Sequence, residues 1–180
     1  MIELAGVQPG EDDRVAELLL AGLPQAHRLA ASILRDPVGA EDAVQEALLR
    51  AWHKRRGIRF GDGAPDRWFL RIVVNVCRDE LRRRRRQPVA AVRPLEESEP
   101  AAAETPWAAA EHDDLDRAIG RLQPDEQILL GLRFGRDMTL PQIAAQLDLP
   151  EGTVKSRLHH TLEHVRAALD AERRAKEQKP

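Results

Sequence analysis

The chain has 180 residues, enough for one domain or two small ones. Tyrosine is absent and Trp and Phe number three each, so any core must be aliphatic. The lone cysteine, Cys77, excludes an intrachain disulfide and a cysteine metal cluster. The formal charge of −2 hides a segregation: residues 24–86 carry 15 basic against 8 acidic side chains, while residues 87–116 carry Arg93 against eight acids. Local basic charge keeps nucleic-acid binding open despite a near-neutral total.

No apolar run approaches a membrane span, and the N-terminus has no charged-then-apolar signal pattern. The expectation is a cytoplasmic protein without membrane insertion. With no alternating β-branched runs, the fold class expected is all-α.

Residues 1 to about 12 are acidic and punctuated by Gly and Pro, and are expected to be loose. Val15, Leu18 and Leu19 begin a helical pattern expected to break at Gly22-Leu23-Pro24. Leu29, Ala30, Ile33 and Leu34 resume it, and Asp36-Pro37 stops it.

Ala40, Ala43, Val44, Ala47, Leu48, Ala51 and Trp52 form a buried stripe on the next helix. Its other face shows Asp42, Gln45, Glu46 and Leu49, with Glu46 and Arg50 at ion-pair spacing. A single leucine on a polar face is common, so the spacing alone does not make this an interface.

His53 to Asp66 holds three glycines, a proline and four basic residues, and reads as a loop. Phe60 in its middle suits stacking on an unpaired base, and equally suits packing into the core. On the following helix, Phe69, Ile72, Val73, Val76 and Cys77 share one face. Arg67, Arg71, Asn75, Arg78 and Arg82 share the opposite one. Four guanidinium groups around one amide, with Asp79 and Glu80 off the stripe, point to nucleic-acid contact.

Gln87 to Asp114 is proline-punctuated, alanine-rich and acidic, and reads as a flexible linker. Trp107 is an isolated anchor within it. Leu115, Ala118, Ile119 and Leu122 open a second helical module, and Pro124-Asp125-Glu126 starts its next helix. Ile128, Leu129 and Leu132 face inward, and Phe134-Gly135 ends that helix.

Thr139 and Gln142 have capping-box spacing. Leu140, Ile143, Ala144 and Leu147 then line one face of a short helix, broken at Asp148-Leu149-Pro150. A second helix starts near Pro150 or Glu151, with Val154, Leu158, Leu162, Val165 and Leu169 inward. Ser156, His159, His160 and Glu163 look outward, flanked by Lys155 and Arg157. Short polar groups between cations suit a major groove, where the centre reads base edges and the margins hold phosphates. The same pattern also fits a solvated face in an ordinary bundle. Asp170 to Pro180 is charged and expected to fray.

Two stretches together carry a family resemblance. IAAQLDLPEGTVKSRLHHTLEHVRAAL resembles the last conserved region of bacterial RNA polymerase sigma factors, most nearly the small extracytoplasmic-function (group IV) members. DAVQEALLRAW and RWFLRIVVNVCRDELRRRRR resemble an earlier region of the same family, and LDRAIGRLQPDEQILLGLRF the segment before the DNA-reading helices. His159-His160 depart from the family's frequent aromatic or His followed by Arg, which bears on base preference.

The resemblance implies two small helical domains joined by a flexible acidic linker, the C-terminal one a helix-turn-helix. Its divisions would be an N-terminal extension and first helix over 1–23, a region 2 domain over 24–88 and a linker over 89–114. A region 4 domain would follow over 115–170 and a tail over 171–180. Asp42, Gln45, Glu46 and Leu49 would contact core RNA polymerase. Phe60, Arg67, Arg71, Asn75, Arg78 and Arg82 would meet the minus-ten element of promoter DNA. Thr153, Lys155, Ser156, Arg157, His159 and His160 would read the minus-thirty-five element. An anti-sigma factor is a further partner implied, and the acidic linker would thread the polymerase's RNA exit path or serve as a tether.

The mechanism implied is binding, so no catalytic residue, metal or cofactor is assigned, and no enzyme motif occurs. His160 and His164 sit at metal-pair spacing, but no carboxylate stands at a matching motif position. The competing reading is a stand-alone helix-turn-helix regulator. It leaves the Asp42–Trp52 helix and the arginine stripe without a role.

Overall fold

The computed structural model describes residues 10–57, 64–86 and 114–177, so Phe60, Trp107 and the acidic linker lie outside the described residues. Among the described residues all regular structure is helical. Helix α1 spans Glu11–Leu34, α2 Pro37–His53 and α3 Ala64–Arg86. Helix α4 covers residues 114–120 and α5 Pro124–Leu130, followed by a π-helical turn over Gly131–Gly135. Helices α6, Leu140–Leu147, and α7, Glu151–Glu177, complete the order.

Helix α1 does not break at Gly22-Leu23-Pro24; it runs through Pro24 without interruption. Proline removes the hydrogen bond that residue 24 would give to Leu20. Both Leu20 and Pro24 are exposed, so water can take the freed carbonyl while Val15, Leu19, Ala26, Leu29 and Ile33 stay buried. Burial of that face outweighs one lost bond. Helix α1 ends on Arg35 in the left-handed region at φ 54°, and Pro37 starts α2 in the first turn.

Helices α1, α2 and α3 pack on one another around Ile33, Val44, Phe69, Val73 and Cys77. Each large side chain fully buried there contributes roughly 1.5–3 kcal/mol. The alanines of α2 let it lie close against its neighbours, and Ala40, Ala43, Ala47 and Ala51 are all buried. Trp52 departs from the expected stripe. It is 39% exposed, with the Arg55 guanidinium 4.5 Å from its ring centroid. At the last turn of α2 the exposed ring therefore takes a cation over its face.

The C-terminal module forms the helix pair expected. Gln142 Oε1 accepts the Thr139 N–H at 2.8 Å, and Thr139 Oγ1 accepts the Gln142 N–H at 3.4 Å. Asp148 closes α6 with φ 58°, a conformation that a short polar side chain tolerates. Leu149 and Pro150 then lead into α7. The expected fraying from Asp170 is corrected, since α7 continues to Glu177. Glu172 is buried on it, 2.5 Å from Arg121 Nη2, an ion pair with a distant part of the chain.

The two modules share one core. Ile128, Leu129, Leu132, Ile143 and Val154 belong to the same apolar cluster as the α1–α3 residues. Helices α5 and α6 and the turn at 131–135 lie against α1 and α3.

Candidate polymerase and nucleic-acid interfaces

Helix α2 carries the first candidate surface. With its alanine face inward, Asp42, Gln45, Glu46 and Leu49 are all exposed, and Leu49 is 58% so. Beside them a groove of about 340 Å³ runs between α2 and α3, lined by Asp42, Glu46, Arg50, Asp79, Glu80 and Arg83 among others. Its floor is charge-paired. Arg83 and Arg84 bind Glu80, and Arg84, outside the groove, also donates to Asp36 Oδ2 at 2.8 Å. The result is an apolar leucine set in an acidic margin.

The second surface is the arginine face of α3. Arg67, Asn75 and Arg82 are exposed, as are Arg83, Arg85 and Arg86. Arg71 and Arg78 are only partly exposed because the C-terminal module meets them. Arg71 Nη2 donates to the Ala145 carbonyl at 3.0 Å and lies 3.5 Å from Asp148 Oδ1. Arg78 Nε donates to Asp125 Oδ1 at 2.7 Å, and its Nη1 donates to Asn75 Oδ1 at 2.6 Å. Arg85 donates to Gln123 Oε1 at 2.6 Å, a contact the stripe pattern did not include. On the opposite face Cys77 is fully buried, and burial pushes its thiol up to about 12.

The third surface is the outward face of α7. Lys155, Ser156, Arg157, His159 and His160 are exposed on consecutive turns, while Thr153 is half-buried at the helix start. Thr161 faces the opposite way, buried, its hydroxyl donating to the Arg157 carbonyl at 2.8 Å. Sequence reading placed Glu163 on this face without a role. Its carboxylate sits 3.1 Å from His160 Nδ1 and 3.4 Å from His159 Nε2. His160 foremost, with help from His159, holds that carboxyl below its ordinary range. His160 and His164 do not converge on a common point: His164 pairs with Glu126 on α5 instead. Helix α7 thus offers hydrogen-bonding groups at its centre and cations at its edges, the arrangement a groove reader needs.

No helix among the described residues is long and apolar enough to cross a membrane. The Sigma-70 region 2 family matches residues 18–87, and Sigma-70, region 4 matches residues 118–167. The chain is 34% identical over 145 residues to the ECF RNA polymerase sigma factor SigL of Mycobacterium tuberculosis, covering 79% of this chain and 81% of the relative. It is 38% identical over 136 residues to SigM of the same organism, covering 74% of this chain but 65% of SigM. The chain belongs to the ECF sigma factor family of RNA polymerase. Its fold is similar to that of the sigma factor RpoE from Bartonella quintana, solved in complex with the anti-sigma factor NepR. That match has a TM-score of 0.55 and 24% identity, covering 86% of this chain and 96% of that one.

Proposed function

We propose that the chain is an alternative sigma factor that binds core RNA polymerase and directs promoter recognition, melting and transcription initiation. One observation carries this: region 2 and region 4 occur in order in one chain, each with an exposed face of the chemistry its task requires. The division into functional domains is 24–88 and 115–170, flanking the linker. Asp42, Gln45, Glu46 and Leu49 form the docking face for the polymerase, a basic and apolar counterpart being complementary to it. Arg67, Arg71, Asn75, Arg78 and Arg82, together with Phe60, hold the melted minus-ten strand. Guanidinium groups suit its phosphates and the amide suits base edges. Thr153, Lys155, Ser156, Arg157, His159 and His160 read the duplex minus-thirty-five element.

The protein acts by binding and positioning, in the cytoplasm where its polymerase works. An anti-sigma factor is the proposed regulator, as the similar RpoE structure holds one. Run-off transcription with purified core polymerase on genomic fragments tests the whole reading. Specific initiation that depends on the added chain is the expected result. Direct duplex binding without any association with core would instead favour a stand-alone helix-turn-helix regulator.

A further inference from the structure

The outward face of α7 holds one side chain that DNA phosphates would repel. Residues 153–162 contain no acid, and their charged side chains are Lys155 and Arg157. Glu163 breaks that pattern on the same face, exposed beside His159 and His160. A carboxylate turned toward a polyanion weakens binding. Its presence there calls for a task other than holding the DNA backbone.

Each carboxylate oxygen of Glu163 serves one ring. Oε2 lies 3.1 Å from His160 Nδ1, and Oε1 lies 3.4 Å from His159 Nε2. The ring centroids are 5.7 Å apart and the planes are tilted by 59°. The hydrogen bond from His160 foremost, then the charge of His159, hold the carboxyl below its ordinary range, so it is ionised at neutral pH. An ionised carboxylate only accepts, which puts the His160 proton on Nδ1. The other nitrogen of a neutral imidazole is then a bare acceptor. That nitrogen, Nε2, has no hydrogen-bond partner among the described residues. No neighbouring element competes for the ring. Helix α5 directs Glu126 to His164, one turn further along, and α6 has no titratable side chain. Arg166 adds only charge attraction to Glu163.

We propose that Glu163 is a positioning residue for promoter specificity: it fixes the His160 proton on Nδ1, so that Nε2 meets the minus-thirty-five base edges as an acceptor. The proposal rests on the reading of the α7 face as the reader of that duplex, and it names the base class selected. An acceptor favours bases that offer an amino donor in the major groove, adenine N6 or cytosine N4. Guanine and thymine present O6, N7 or O4, which would face Nε2 lone pair to lone pair. Without the carboxylate the ring is free to carry its proton on Nε2, and the preference turns toward those bases. In the free chain so exposed a pair adds little stability. Against a groove, where water is displaced, a proton on the wrong nitrogen leaves both partners unpaired.

The test uses the full chain, alone and assembled with core polymerase. Nitrogen-15 spectra of the histidine rings, taken at about pH 8 where imidazole is neutral, read the tautomer; the His160→Ala spectrum assigns the signal. Selection by the holoenzyme from a library randomised in the upstream element reads base preference. The variants are Glu163→Ala, His160→Ala and the two combined, with Arg166→Ala as the control for lost charge near Glu163.

Wild-type His160 should show a protonated Nδ1 and a bare Nε2, and Glu163→Ala should move it toward the opposite tautomer. At one base pair of the upstream element the wild type should prefer adenine or cytosine by about tenfold. Glu163→Ala should lose or reverse that preference there and leave the other positions unchanged, while Arg166→Ala keeps it. With His160 already Ala, Glu163→Ala should change nothing further, because it acts through the ring. A wild-type spectrum with a bare Nδ1 overturns the proposal, and it needs no Glu163 variant to fold. So does a preference that survives Glu163→Ala, or one that Glu163→Ala alters equally without His160. A His160-dependent preference indifferent to Glu163 overturns this proposal alone. Selection indifferent to His160→Ala and to Ser156→Ala alike overturns the α7 reading and the proposal with it.

Discussion

Arg50 on α2 donates from Nη1 to Asp79 Oδ2 on α3 at 2.9 Å, and its Nε donates to Glu46 Oε1 at 2.8 Å. Asp79 foremost, and Glu46, hold this guanidinium in its charged form. Glu46 therefore joins a three-residue network, whereas Asp42 has no ion pair among those found for the described residues. The two acids of the proposed docking face should behave differently when reversed. Asp42→Lys should weaken core-polymerase binding by about tenfold while the melting temperature stays put. Glu46→Lys should weaken binding and also lower stability by up to about 1 kcal/mol through Arg50. Paired titrations of core polymerase and thermal melts check both; unchanged affinity for Asp42→Lys removes that side chain from the interface.

Replacing Arg71 and Arg78 with Ala should slow open-complex formation more than it weakens core binding. Loss of two charge-assisted phosphate contacts is worth roughly 3 kcal/mol or more. Permanganate reactivity of the melted strand, measured beside core affinity, separates the two steps. Melting as fast as wild type would remove the stripe from strand capture.

Ser156, His159 and His160 stand at the centre of the outward face of α7. Exchanging them should change base preference in the upstream promoter element and leave the downstream element as it was. A lost base contact should cost about 1–3 kcal/mol at its own position. Selection from a randomised promoter library reads both elements at once, and a shift confined to the downstream element contradicts the assignment.

Glu80 accepts two hydrogen bonds from Arg83, each 2.8 Å, and one from Arg84 at 2.7 Å. These arginines, Arg83 first, hold its carboxyl below the ordinary 4.5. A folded-state value lower than the unfolded one means the pairing stabilises fully above pH 4.5 and is lost as pH falls through the lowered value. Glu80→Gln should cost about 1 kcal/mol at pH 7, and the gap from wild type should close in more acidic solution. Urea titrations across that range check the prediction.

Local chemistry was readable from the sequence where it was self-contained. The Thr139–Gln142 box, the stop at Asp148-Leu149-Pro150 and the alanine face of α2 each depend on residues within about three turns of one another. The misread features depend on residues far apart. Pro24 suggested a break because its neighbours do not disclose that it faces water. The tail beyond Asp170 looked unsupported because Arg121, the ion-pair partner of Glu172, belongs to a different part of the chain. The arginine stripe was visible as a periodicity, but its pairing with Asp125 and Asp148 follows from how α3 meets α5 and α6. No helical period encodes that meeting. The available hint was Gly131, a glycine inside an apolar helical run where no turn was needed.

Cys77, the sole cysteine, is sealed between the helices of the N-terminal module with its thiol pushed up to about 12. Nucleophilic attack requires the thiolate, so the native chain should resist alkylating reagents and mild oxidants alike. Iodoacetamide should modify it only as fast as the three-helix unit opens, making it a built-in clock for unfolding. An aminoacyl-sized label should enter cleanly only at a newly introduced surface thiol, leaving the natural one dark.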